Sequence, residues 1–237
     1  MSTIKQHQEM GYDRAVSMFS PDGLLLQVEY AEKAVKLGST ILAITTKEGI
    51  VFIGDRKIKS KLLVKDSFKK IFEVDNHLAI SGAGVMSDGR RLIEQAQIIS
   101  QDHKVNYQNP IDIITLVKEI ANIQQYYSQS GGLRPFGVSL LIGGIENNKP
   151  ILYQTTPSGI YMRFLARSVG NLSDKINEEM EKTYKESMSN KEAISYALKL
   201  FKKAMEEEFD LERFDVATLD LKENLNKVPL NELSKLN

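Results

Sequence analysis

The hydrophobic positions change period several times along the chain, and each change marks an element. Leu24, Val28, Ala31 and Val35 recur at i, i+4, i+7 and i+11, which predicts an amphipathic helix over 24–37. Glu29/Lys33 and Glu32/Lys36 support it as i,i+4 pairs, and Gly38 stands where a glycine stop belongs. Its apolar face needs a surface to bury against. Ser20-Pro21-Asp22-Gly23 before it reads as a turn. The pattern then shortens to strands. Ile41–Thr46 and Ile50–Lys57 flank Lys47-Glu48-Gly49, and Ile71–Val74 and Leu78–Ser81 flank Asp75-Asn76-His77, so two hairpins are expected. Helical spacing returns over 85–102 and again after Pro110, through Ile113, Leu116, Val117 and Ile120, until Ser130-Gly131-Gly132 breaks it. Strands follow at Phe136–Ile145, Ile151–Thr156 and Ile160–Arg167. Helices follow near 172–187 and 190–208, the second capped by Asn190, and a last strand covers Phe214–Leu221.

Strands cluster with strands and helices with helices, which is an α+β order rather than alternating βαβ. The strands are apolar on both faces and the helices on one. Two stacked sheets with helix pairs outside, a four-layer αββα sandwich, would bury both kinds of surface. The expected organisation is a mobile tail at 1–11, one domain over 12–221 and a polar C-terminal tail at 222–237.

Composition adds exclusions. Lys+Arg and Asp+Glu are both 31, so the formal charge is zero and the long-range attraction of a general nucleic-acid binder is missing. Cysteine is absent, which removes disulfides and thiolate chemistry. No apolar stretch approaches the roughly 20 residues of a membrane span, and the N-terminus has no hydrophobic signal region. These features read as a cytoplasmic protein with no nucleic-acid or membrane partner.

Candidate chemistry is sparse. His7, His77 and His103 have no metal-ligand spacing, and each reads as a solvated surface histidine. No P-loop, G-x-S-x-G or H-E-x-x-H motif occurs. Ser81-Gly82-Ala83-Gly84 lacks the lysine of a phosphate loop and reads as a packed strand-to-helix turn. Glu206-Glu207-Glu208 reads as a solvated helix end.

Several segments together resemble a known family. Tyr12-Asp13-Arg14, Phe19-Ser20-Pro21-Asp22-Gly23, Gln27-Val28-Glu29-Tyr30-Ala31, Gly38-Ser39-Thr40 and Arg134-Pro135-Phe136-Gly137-Val138-Ser139-Leu140 are similar to the landmarks of proteasome α subunits, most like the archaeal type. The resemblance implies the αββα fold of the N-terminal-nucleophile hydrolases. It implies a non-catalytic subunit with no cofactor, in a seven-membered α ring that caps the proteolytic β subunits. It also implies that the helix over 24–37 packs between ring neighbours. The catalytic threonine of such a threonine-type complex lies on the β subunits, where a free α-amine stands beside the hydroxyl. Here a helix and a tail precede Ser39, so Asp55 and Lys70, at the positions of the acidic and basic helpers, have no amine to serve; by themselves they read as solvated sheet-end charges. Cleavage between Gly38 and Ser39, giving a stand-alone amidohydrolase, is the alternative from another class.

The resemblance also assigns sites. Tyr12, Asp13, Arg14, Pro21 and Tyr30 match the cluster that sets the gate over the axial pore. Lys70, Gly84 and Val85 match an intersubunit pocket where the C-terminus of an activating ATPase docks. Gly131 and Gly132 match a constriction passed by unfolded protein substrates. Glu32 and Val85 depart from many relatives, which carry a basic residue and a larger aliphatic there.

Overall fold

The structure, a computed structural model, describes residues 9–11, 14–57, 62–64 and 67–236. Among the described residues, ten strands and six longer helices run in the order α1 (Leu26–Leu37), β1 (Ile41–Thr46), β2 (Gly49–Asp55), β3 (Ile71–Asp75), β4 (Leu78–Gly84), α2 (Met86–Tyr107), α3 (Ile113–Gln129), β5 (Val138–Glu146), β6 (Lys149–Thr155), β7 (Tyr161–Phe164), β8 (Ala166–Val169), α4 (Ser173–Thr183), α5 (Asn190–Met205), β9 (Phe214–Asp220), β10 (Leu225–Lys227) and α6 (Leu230–Leu236). The strands form two antiparallel five-stranded sheets, β10-β9-β2-β1-β8 and β3-β4-β5-β6-β7.

Strand alternation sorts the core into three layers. In β1 and β2, Leu42, Ile44, Val51 and Ile53 pack with α4 and α5, while Ile41, Ala43, Ile50 and Phe52 face the other sheet. In β5, Val138, Leu140 and Ile142 pack with α2 and α3, while Leu141 and Ile145 face inward. Helices therefore cover both outer faces, and the expected αββα sandwich is the observed fold. Among the described residues no helix is long and apolar enough to cross a membrane.

Several local expectations change. The run 160–167 is two strands. Leu165 separates β7, paired with β6, from β8, paired with β1 in the other sheet, so the chain changes sheets inside one apolar stretch. The segment after 221 is not a plain polar tail: β10 pairs with β9, and Leu233 of α6 is buried in the core. Ser189, not Asn190, caps α5 through a reciprocal capping box with Glu192. Asn190 instead accepts a hydrogen bond from the Thr46 hydroxyl at 2.7 Å. Pro110 lies ahead of the first turn of α3, which begins at Ile113 after Asp112. The Glu206–Glu208 run forms a separate, exposed 3-10 turn.

α1 begins after Leu24 and buries Leu26, Ala31 and Val35; Val35 enters the core between the sheets. Of the apolar face that the sequence predicts, Ala31 and Val35 are covered within the chain, while Leu24 and Val28 stay half-buried. Lys36 pairs with Asp174 at 3.3 Å, and the Lys33 ammonium sits 5.4 Å from the Tyr30 ring centroid. Gly38 is extended, with φ −67° and ψ 152°, rather than a left-handed stop. Its role is close approach: a β-carbon there would collide with the backbone of Gly84.

Candidate functional site

The end of α1, the end of β4 and the start of α2 meet at Gly38, Gly84 and Val85. Gly84 has φ +121°, a region that favours glycine, and a β-carbon there would collide with the Gly137 carbonyl. That carbonyl accepts the Val85 N–H at 2.8 Å. The Ser81–Gly84 segment is thus not a turn but the end of β4, paired with β5, and the passage into α2 is made at Gly84–Val85. Val85 is partly exposed at its rim.

Lys70 lies beneath this rim, fully buried, and is not the solvated charge expected from the residue alone. Its backbone is held from both sides. Asp215 of β9 accepts its N–H at 2.9 Å, and the Ser81 hydroxyl donates to its carbonyl at 2.8 Å. Its stem lies against Gly54, where an added β-carbon would be 2.5 Å from the Lys70 Cβ. The ammonium donates to the Gly82 carbonyl at 3.3 Å and to the Met86 Sδ at 3.6 Å. Among the described residues no carboxylate forms an ion pair with it. Burial lowers its pKa to about 8, against an opposing pull from Asp55. The structure thus brings Lys70, Gly84 and Val85 into one neighbourhood. Gly54, Ser81, Met86 and Asp215 belong to it as well, and sequence reasoning does not find them. A glycine and an aspartate inside otherwise apolar strands are the available signals.

Asp55 is also buried rather than solvated. It is held by Arg213 in a bidentate pair, at 2.8 and 3.1 Å, and accepts the Lys57 N–H at 2.8 Å. The segment entering β1 is fixed by its neighbours. Asn171 donates its N–H to the Gly38 carbonyl at 2.9 Å. The Thr40 hydroxyl donates to Asn171 Oδ1 at 2.7 Å and accepts the Leu172 N–H at 2.9 Å. Ser39 follows Gly38 and α1, so its nitrogen is an amide and carries no free amine.

Of the gate residues, Tyr12 and Asp13 lie outside the described residues, as do most of the expected tail (residues 1–8) and His7. Arg14 and Pro21 are exposed, and Tyr30 is half-buried on α1. The turn around Pro21 is well tied: Gly23 N–H donates to the Ser20 carbonyl at 2.8 Å, and Leu24 N–H to the Ser20 hydroxyl at 3.2 Å. Burial and the neighbouring Glu29 push the Glu32 carboxyl up, with Lys36 pulling the other way.

Gly131 and Gly132 sit on an exposed loop between α3 and β5, with Gly132 at φ +81°. Next to them, the Arg134-Pro135-Phe136-Gly137 segment is held by one carboxylate. Asp88 accepts two hydrogen bonds from the Arg134 guanidinium, at 2.6 and 2.8 Å, and one from the Gly137 N–H at 2.9 Å. Burial raises the Asp88 pKa, but these bonds outweigh it and hold the carboxyl below its usual range. His77 is not a surface histidine either: it is buried and its Nε2 is 2.8 Å from the Ile111 carbonyl, joining the β3–β4 turn to the segment before α3. His103 is only half-buried, with Nδ1 at 3.2 Å from the Asn109 carbonyl.

Two stacked antiparallel sheets between helix pairs, with an internal Gly-Ser-Thr entering the first strand beside a buried aspartate and lysine, define a sandwich of the N-terminal-nucleophile hydrolase type. The proteasome subunit family model matches residues 35–219, and the model of the N-terminal signature of A-type proteasome subunits matches residues 12–34. The chain belongs to the proteasome subunit family, on its alpha branch. It is 39% identical over 215 residues to the proteasome alpha subunit of Methanosarcina acetivorans, covering 91% of this chain and 87% of that one. The protein of the same name from Methanocaldococcus jannaschii is 40% identical over 226 residues, covering 95% and 86%. That of Methanopyrus kandleri is 37% identical over 231 residues, covering 98% and 94%.

Proposed function

We propose that the chain is a non-catalytic ring subunit of the proteasome core particle, assembling with further alpha subunits and with beta subunits. Its N-terminal segment gates the entry of unfolded substrates. The Lys70, Gly84 and Val85 neighbourhood receives the C-terminal carboxylate of an activating ATPase at the junction between subunits. The observation that carries this reading is the state of Lys70. A fully buried ammonium whose only acceptors among the described residues are a carbonyl and a thioether is under-served, and a peptide carboxylate is the acceptor that would complete it. The two glycines let chain segments come close at the same point. Absence of catalysis is supported by Ser39: its nitrogen is an amide, and the Gly38 carbonyl before it is already bonded to Asn171.

Two measurements test the proposal. Intact mass and peptide hydrolysis of the purified chain should show no cleavage at Gly38-Ser39 and no activity. A product beginning at Ser39, whose amidase activity is lost in Ser39→Ala, would overturn the non-catalytic reading. Electron microscopy with the beta partner should show stacked rings, and the ring should bind an ATPase C-terminal peptide better than its amidated twin. Equal binding of the two peptides would overturn the docking assignment.

A further inference from the structure

Among the described residues, the Lys70 ammonium has one side-chain acceptor, the thioether of Met86, the first residue of α2. Lys70 is fully buried while Met86 is half-exposed, so the methionine has one side toward solvent and the other on the ammonium. Its tip folds back along the first turn of the helix. Sδ and Cε lie 3.9 and 3.7 Å from the place a β-carbon would take at Gly89, within van der Waals contact of it. We propose that Met86 is a displaceable lid on the Lys70 pocket, holding the ammonium while the pocket is empty and giving way to the incoming carboxylate. The inference rests on the docking reading of Lys70 and deepens it.

The chemistry favours the exchange. Sulfur is a weak acceptor and a carboxylate a strong, charged one, so an ammonium facing both bonds the carboxylate. Methionine is unbranched with three rotatable bonds, so it leaves one packing arrangement for another at little strain. The closed lid competes with the ligand, because the pocket must lose the sulfur contact before the carboxylate can enter. Met86 therefore sets affinity without touching the rest of the peptide. Only ligands that end in a free carboxylate would feel it.

The test uses rings of the full chain and a fluorescent peptide copying the C-terminus of a proteasome-activating ATPase, together with the same peptide amidated. Met86→Ala opens the pocket. It should tighten binding of the free-carboxylate peptide by about 3- to 10-fold and leave the amidated peptide unchanged. Met86→Leu keeps the volume and packing without the sulfur, so it checks the result if the alanine variant does not assemble. It should tighten the free-carboxylate peptide less than alanine does, because the bulk of the lid stays while its hold on the ammonium is lost. Suppose wild type prefers the free carboxylate but both variants match it. Then Met86 is not a lid, and the docking assignment of Lys70 stands. Equal tightening of both peptides would show that Met86 merely shields an apolar surface, which also overturns the lid. If wild type binds both peptides equally, Lys70 is not the dock and the lid falls with it.

Discussion

Replacing Lys70 by methionine removes a buried charge while keeping an unbranched chain of similar length. Burial lowers the lysine pKa from 10.5 to about 8, a displacement worth about 3 kcal/mol against the charged form in the folded chain. Losing the charge-assisted hydrogen bond to the Gly82 carbonyl, a long one at 3.3 Å, returns about 1.5 kcal/mol of that. Lys70→Met should therefore be more stable than wild type at pH 7 by about 1–2 kcal/mol, a rise in melting temperature of roughly 2–8 °C for a chain of this size. The sign with pH follows from the direction of the shift. Below pH 8 the lysine is charged in both states and the full cost is present. Between pH 8 and about 10.4 the unfolded chain binds more protons, so wild-type stability rises with pH. The gap between wild type and variant should close across that window. Thermal melts of both proteins at pH 7 and pH 10, at one protein concentration, measure it. The variant should also lose the preference for a free peptide carboxylate, and wild-type peptide binding should weaken above pH 8 as the ammonium deprotonates. A variant less stable than wild type at pH 7, or a gap constant from pH 7 to 10, would show that Lys70 is an ordinary stabilising group.

Other perturbations report on the surrounding framework. Arg213→Met strips the buried Asp55 of its bidentate partner and should cost about 3–5 kcal/mol in chemical denaturation, whereas a solvated pair would cost under about 1 kcal/mol. Asp88→Ala removes the acceptor of Arg134 and of the Gly137 amide, so hydrogen exchange at Gly137 should rise and stability fall by about 1–3 kcal/mol; unchanged exchange would show that the turn is held by other contacts. Deleting residues 2–11 should leave folding intact and speed degradation of unfolded proteins by the assembled particle more than small-peptide hydrolysis. Equal protein-degradation rates would refute a barrier role for that segment.

Much of this architecture is legible because it rests on periodicity. The two-sided apolar strands β1, β2 and β5 and the one-sided α2, α3 and α5 are local patterns with a single layered solution. What stays hidden depends on contacts between distant segments. The strand run 160–167 has no break in hydrophobicity at Leu165, and only pairing with β1 moves its second half to the other sheet. Leu233 reads as part of a polar tail until α6 sets it against the core. The buried charges are opaque for the same reason. Nothing local announces that Asp55 meets Arg213, 158 positions away, or that Asp215 holds the Lys70 N–H from 145 positions on. A buried charge is visible in sequence only through its partner, and the partner is a tertiary fact.

The arrangement of these charges bears on why one fold can serve two ends. A free-amine hydrolase needs its acid and its base directed at one nucleophile. Here the two groups bond to different partners. Asp55 is held by Arg213 and by the Lys57 amide, while Lys70 turns its ammonium to the Gly82 carbonyl and to Met86. Ser39 has an amide where the reactive amine would be, and Thr40 has its hydroxyl committed to Asn171 and Leu172. Asp55 and the Thr40 hydroxyl therefore have firm structural partners, whereas the acceptors of the lysine ammonium are weak. A buried ammonium left in that condition is costly, and on the proposed reading an arriving carboxylate relieves it. On the proposed reading, the burial that makes Lys70 costly for folding is also what gives the dock its preference for a peptide end over any internal stretch of chain.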